Sequence, residues 1–176
     1  RDSMASQAIG YAKLLMVFHM LRTQVGDDNF LKGLKKFYAT HKYRYAGYED
    51  IRRTFEEVSG QNLSKFFEQW VQRKGAPEIS LKGASYVTNK DRYDLMVTVE
   101  QASPAFKLRL PVAIWAKGST LGEIHYIDLD AELQEFQFQL TEEPVAVRLD
   151  PYNDVFRLPG HEEAPASLAK TYGAQT

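Results

Sequence analysis

The chain has 176 residues, 44% hydrophobic and 26% charged, with a formal net charge of −1 and no cysteine. This is an ordinary globular composition, enough for one large or two small domains. The near-neutral charge argues against a nucleic-acid binder, and the lack of cysteine excludes disulfides and thiolate metal sites. The longest apolar run, residues 14–18, falls far short of the roughly 20 residues needed to cross a bilayer, so no membrane segment is expected. The N-terminus lacks an initiator Met and does not read as a signal peptide, so the chain is expected to begin inside a longer protein.

The first half has helical spacing. Apolar residues crowd 6–24 (Ile9, Leu14, Leu15, Val17, Phe18, Met20, Leu21) and predict a long, largely buried helix. Gly26 ends it, and Asp27 or Asp28 is expected to cap the next. That second helix carries a stripe of Phe30, Leu31, Leu34, Phe37 and Tyr38 at spacings of three and four. A third is predicted over 48–59, with Ile51, Thr54, Phe55 and Val58 on one face and Gly60 as its stop. A fourth starts near Asn62 or Ser64, buries Leu63, Phe66, Phe67, Trp70 and Val71, and closes at Gly75 and Pro77. Phe66, Phe67 and Trp70 are expected to dock the helical half on the strand-forming half or on further helices.

From Ile79 the period becomes two. Tyr93, Leu95, Val97 and Val99 alternate with polar residues. Further runs cover 106–114, 124–129, 136–140 and 145–149, separated by turns at 89–91, 102–104, 117–119 and 142–144. Six or seven short strands without crossover helices predict an antiparallel sandwich. The boundary should fall near residues 74–78. The segment from about Pro159 has no clear period and reads as a linker or junction.

Two segments carry a resemblance. Gly10-Tyr11-Ala12-Lys13, the apolar stretch after it and Met20-Leu21-Arg22 form the first. It continues through Gly26-Asp27-Asp28-Asn29-Phe30 and Gly33-Leu34. Ser59-Gly60, Leu63, Phe66-Phe67 and Trp70, followed by the Gly75-Ala76-Pro77 turn, form the second. Together with the 150–154 turn they resemble the gluzincin zinc aminopeptidases of the membrane alanyl type, over roughly residues 6–158. Leu14-Leu15 stands where that family has Gly-Ala.

The resemblance implies an α+β chain in two segments. Residues 1–76 would be the helical C-terminal part of a peptidase domain, 77–158 an immunoglobulin-like antiparallel β-sandwich, and 159–176 a junction. It implies a parent that removes N-terminal residues from peptides using zinc. An upstream catalytic domain would carry the metal, because the family's ligands precede Tyr-x-Lys. Zinc there is held by His-Glu-x-x-His plus a later Glu. Here His19, His41, His125 and His161 form no such pair, and Pro165 stands four residues after His161. The chain is therefore expected to bind no metal or cofactor and to be inactive alone. By resemblance, Tyr11 matches the tyrosine whose hydroxyl donates to the oxyanion of the tetrahedral intermediate; the alternative is a packed aromatic in a helix.

Other patterns have plainer readings. Lys13 reads as solvated or ion-paired. Lys32, Lys35, Lys36, His41, Lys42 and Arg44, interleaved with Phe37, Tyr38, Tyr43 and Tyr45, could meet an acidic partner or nucleic acid, but Glu49 and Asp50 soon follow and a solvated helix face is the plainer reading. Asp128 and Asp130 lack the loop a calcium site needs. The competing function from another class is a non-enzymatic interaction or spacer module of helices plus sandwich.

Overall fold

A computed structural model describes residues 4–158 and 160. His161 and nearly all of the expected 159–176 junction lie outside the described residues. The architecture is mixed α+β, with four helices followed by two antiparallel sheets. The chain divides into two compact units, one of residues 1–75 with 154–156 and one of 76–153 with 157–176.

In the first unit, α1 (Met4–Val25) ends at Gly26, whose φ of 82° suits a residue without Cβ. Gly26 also starts α2 (Asp27–His41), which has no side-chain cap. The expected Asp27 cap is absent because both its carboxylate oxygens accept from Arg22, each at 2.8 Å. Helix α3 (Tyr48–Ser59) begins with the Asp50 carboxylate accepting from Gly47 N–H at 2.9 Å and stops at Gly60 in the left-handed region. Helix α4 (Ser64–Phe67) widens into a π turn over Glu68–Gln72. An Asx turn leads into it, the Asn62 side-chain oxygen accepting from Ser64 N–H at 3.0 Å.

Leu21, Val25, Phe55, Leu63 and Phe67 form the core of this unit, flanked by Phe30, Ile51, Phe66 and Val71. Burying each such side chain fully contributes about 1.5–3 kcal/mol. Gly33 is the buried position of α2, and a Cβ there would lie 2.6 Å from the Phe55 ring, so α2 and α3 approach closely only because residue 33 is Gly. The expectation for α1 is corrected. From residue 10 on, Val17, Leu21 and Val25 are the buried residues, one line at spacings of four, and the residues between them are half-buried or exposed. Phe67 belongs to the unit's own core, and the Trp70 ring packs edge-on against Phe156 of the same unit, centroids 6.2 Å apart.

Among the described residues the second unit holds six strands. One sheet has the order β1 (Ile79–Asn89), β2 (Arg92–Gln101), β5 (Leu133–Leu140); the other has β4 (Glu123–Leu129), β3 (Leu108–Ala116), β6 (Pro144–Leu149). The pairings between these strands are antiparallel, and an isolated parallel bridge joins Glu78 to Leu158. Leu95, Val97, Val99 and Gln101 alternate as the buried face of β2. The sheets meet where the His125 ring packs on Phe138, centroids 5.2 Å apart. Strand β1 is exposed along its length apart from Ile79 and, among the described residues, pairs with β2 alone, with a bulge at 81–83.

The strand expected to begin at Phe106 begins two residues later. Gln101, buried between the sheets' connections, is the reason. Its side-chain amide donates to Phe106 C=O at 2.9 Å and to Ala131 C=O at 3.1 Å, and its oxygen accepts from Phe106 N–H at 2.8 Å. Phe106 is thereby held in the loop. A second buried polar device closes β6: Asp150 and Arg157 form an ion pair at 2.8 Å with both side chains nearly inaccessible.

Candidate functional site

Helix α1 brings the sequence-predicted residues to two opposite faces. Tyr11 projects outward, 73% exposed, and Leu15, one turn on, is 71% exposed beside it. Lys13 lies about 200° around the helix from Tyr11, at roughly 100° per residue. Its ammonium donates to Arg73 C=O at 3.2 Å, which satisfies the carbonyl just past the π turn, and it sits 5.8 Å from the centre of the Phe156 ring. Lys13 is therefore tied into the unit rather than solvated.

Two turns further along the same face, Met20 Sδ accepts from Phe156 N–H at 3.5 Å. Next to it, His19 Nε2 lies 2.9 Å from Asp154 Oδ1. Residues 154–156 thus run along the back of α1, far from it in sequence. The sequence carries no local signal of this, since the partners are 135 and 136 residues apart.

The described histidines do not converge. His41 stacks on Phe37 at the end of α2, centroids 4.9 Å apart, and His125 lies in β4, its Nε2 buried 3.5 Å from Glu123 Oε1. Among the described residues no three His, Cys, Asp or Glu side chains are grouped to hold a metal ion. The described donor set does not fit zinc, and no chemistry is routed through zinc on these residues. Asp128 and Asp130 are exposed at the end of β4.

The basic stretch is dispersed. Lys36 pairs with Glu57, and Lys42 lies over the Tyr43 ring, 5.8 Å from its centre. Tyr43 and Tyr45 stand out into solvent with Arg44. The most organised charge cluster is elsewhere, at a groove lined by Tyr48, Glu49, Arg52, Ser64, Phe67 and Glu68. Arg52 Nε donates to Glu49 at 2.8 Å, and its Nη1 donates to Glu56 at 2.7 Å and Ser64 Oγ at 3.1 Å. These bonds, Arg52's first and Arg53's after it, hold the Glu49 carboxyl down at about 2 and push the Arg52 guanidinium above its ordinary value. Glu56 also accepts from Leu63 N–H at 2.8 Å, so the cluster fastens α3 to the start of α4. Its partners are all internal, which makes it a structural joint.

A helical unit with an outward tyrosine, followed by a two-sheet antiparallel unit, defines the class to which known proteins can be compared. Residues 3–70 match the Peptidase family M1 domain. In this segment the chain is similar to the M1 aminopeptidases. Aminopeptidase N of Lactococcus lactis is 35% identical over 79 residues, which is 45% of this chain and 9% of that protein. Leucyl aminopeptidase of Saccharolobus solfataricus is 24% identical over 150 residues, 84% of this chain and 18% of that one. The crystal structure of Legionella pneumophila aminopeptidase A in complex with aspartic acid shares the fold, with a TM-score of 0.63 at 18% identity, over 84% of this chain and 17% of that one. The chain thus spans about a tenth to a fifth of the length of these relatives.

Proposed function

We propose that this chain is part of a zinc aminopeptidase that removes N-terminal residues from peptides. Residues 1–76 are read as the C-terminal part of the peptidase domain, 77–158 as an immunoglobulin-like sandwich and 159–176 as a junction. The zinc ligands and the general base belong to an upstream domain, so the chain alone is inactive. The relatives' names and the M1 match over residues 3–70 support this reading. The alternation on β2 and the His125–Phe138 contact support the sandwich.

The observation that carries the proposal is the outward face of α1. Tyr11 and Leu15 are both exposed on a helix inside the matched segment. Exposing a large apolar side chain next to an aromatic suits a surface that another element covers. In that setting Tyr11 is no core aromatic. Its phenol is a neutral donor that needs no proton transfer, and it gives a hydrogen bond to the oxyanion of the tetrahedral intermediate. The bond strengthens as negative charge develops on that oxygen, which is the condition for lowering the barrier.

The test uses the full-length protein. Tyr11→Phe is expected to lower kcat by roughly 10²–10³-fold, the usual cost of one oxyanion donor. Zinc content measured by elemental analysis stays the same. Unchanged turnover would remove Tyr11 from the chemistry, and a full-length protein without aminopeptidase activity would overturn the reading as a whole.

A further inference from the structure

We infer that the 154–156 segment is a positioning element for Tyr11: it grips the back of α1 and fixes the angle at which the helix presents the phenol. The inference rests on the proposed role of Tyr11 and adds residues that neither the sequence motifs nor the relatives point to.

The Lys13 and Met20 contacts lie on one side of the helix, and the His19 contact lies between that side and the face of Leu15. Lys13 and Met20 are seven residues apart, two helical turns, and so share a face. Lys13 packs over the Phe156 ring and Met20 Sδ accepts the Phe156 N–H. The Phe156 ring is braced from behind by Trp70. The Lys13 ammonium also reaches Arg73 C=O, so the end of the π turn holds the same point of α1. His19 and Asp154 add a third fastening at 2.9 Å, next to Met20. These fastenings span two turns of α1, which resists both rolling and sliding of the helix.

Tyr11 is on the opposite side, two residues before Lys13 and largely exposed. From residue 10 on, the buried line of α1 begins at Val17, six residues past Tyr11. Its placement is therefore inherited from the helix, and the grip closest to it is the Lys13–Phe156 contact. An oxyanion donor must lie within hydrogen-bond distance of an oxygen that forms only in the transition state. A small roll of α1 would leave peptide binding intact and misplace the hydroxyl. Misplacement by about 1 Å can cost on the order of a hundredfold in rate.

The experiment is a double-mutant cycle in the full-length enzyme, with Phe156→Ala and Asp154→Asn each made alone and each combined with Tyr11→Phe. Phe156→Ala is expected to lower kcat by roughly ten- to a hundredfold with KM within about twofold. Asp154→Asn, which keeps the side chain's shape and guards against a folding failure of the first variant, lowers kcat in the same direction by less. Zinc content is unchanged in both. In the Tyr11→Phe background neither substitution lowers kcat further, because the group they position is gone. A merely structural role would give the same loss in both backgrounds, and that additive result overturns the inference. So does full kcat in both 154–156 variants while Tyr11→Phe is impaired, an outcome that leaves the proposed function standing. If Tyr11→Phe alone has no effect, the role of Tyr11 and the inference fail together.

Discussion

At the scale of single residues, Gly33 shows how one missing side chain sets a packing distance. The Phe55 ring occupies the space a Cβ would need, and Phe55 is completely buried, so the ring has nowhere to go. Gly33→Ala should cost about 1–3 kcal/mol despite the better helix propensity of Ala, because overpacking outweighs it. Urea denaturation of the purified chain measures this; an unchanged or raised midpoint would contradict it. In the sequence Gly33 is legible only as part of the family resemblance. A glycine in mid-helix looks unfavourable until the residue pressed against it is known. Gln101 is similar. On an alternating strand it sits at an inward position where an apolar residue is expected, and its three hydrogen bonds explain why it can stay.

At the scale of elements, the beginning of α3 is the most tightly organised. Glu49 is shifted from its ordinary 4.5 to about 2. A carboxyl whose folded-state value is lowered adds stability that is fully present above the ordinary value. That stability is lost as pH falls through about 2. The expected outcome is a Glu49 carboxyl titrating near 2 by NMR, and a weaker acid dependence of stability between pH 4.5 and 2 in Glu49→Gln. A midpoint near 4.5 would mean the Arg52 bonds do not persist in solution. The four helices are legible from apolar spacing and from Gly26, Gly60 and Gly75, and the strands from their period of two. The π turn after Phe67 is not, because it continues the apolar spacing of a helix. The exposed face of α1 is hidden for a related reason: apolar residues all round say that a helix can be covered, not that this stretch of chain supplies the cover.

At the scale of the whole molecule, that uncovered face makes a comparison possible. Leu15→Lys places a charge where α1 is already exposed, so in the purified chain its effect on stability should stay within about 0.5 kcal/mol. On the proposed reading, in which an upstream domain covers this face, the same substitution in the full-length protein buries an unpaired charge. It is expected to lower the melting temperature and the yield of active enzyme. Equal tolerance in both settings would mean that nothing covers this face. The candidate site itself is half legible. Tyr11 comes from the motif, whereas the residues that grip its helix come from the far end of the chain and leave no local pattern.

Strand β1 has a different consequence. Among the described residues its outer edge carries no partner strand, so its row of backbone donors and acceptors is a template on which another chain could add a strand. The bulge at 81–83 interrupts that row, and Lys82, paired with Glu100 at 2.6 Å, sets a charge beside the interruption. Together they act as a guard against self-assembly through the sheet. Beyond the bulge, residues 84–89 keep regular pairing and include the exposed Tyr86 and Val87. That end of the strand is where fibrillar association of the chain would start.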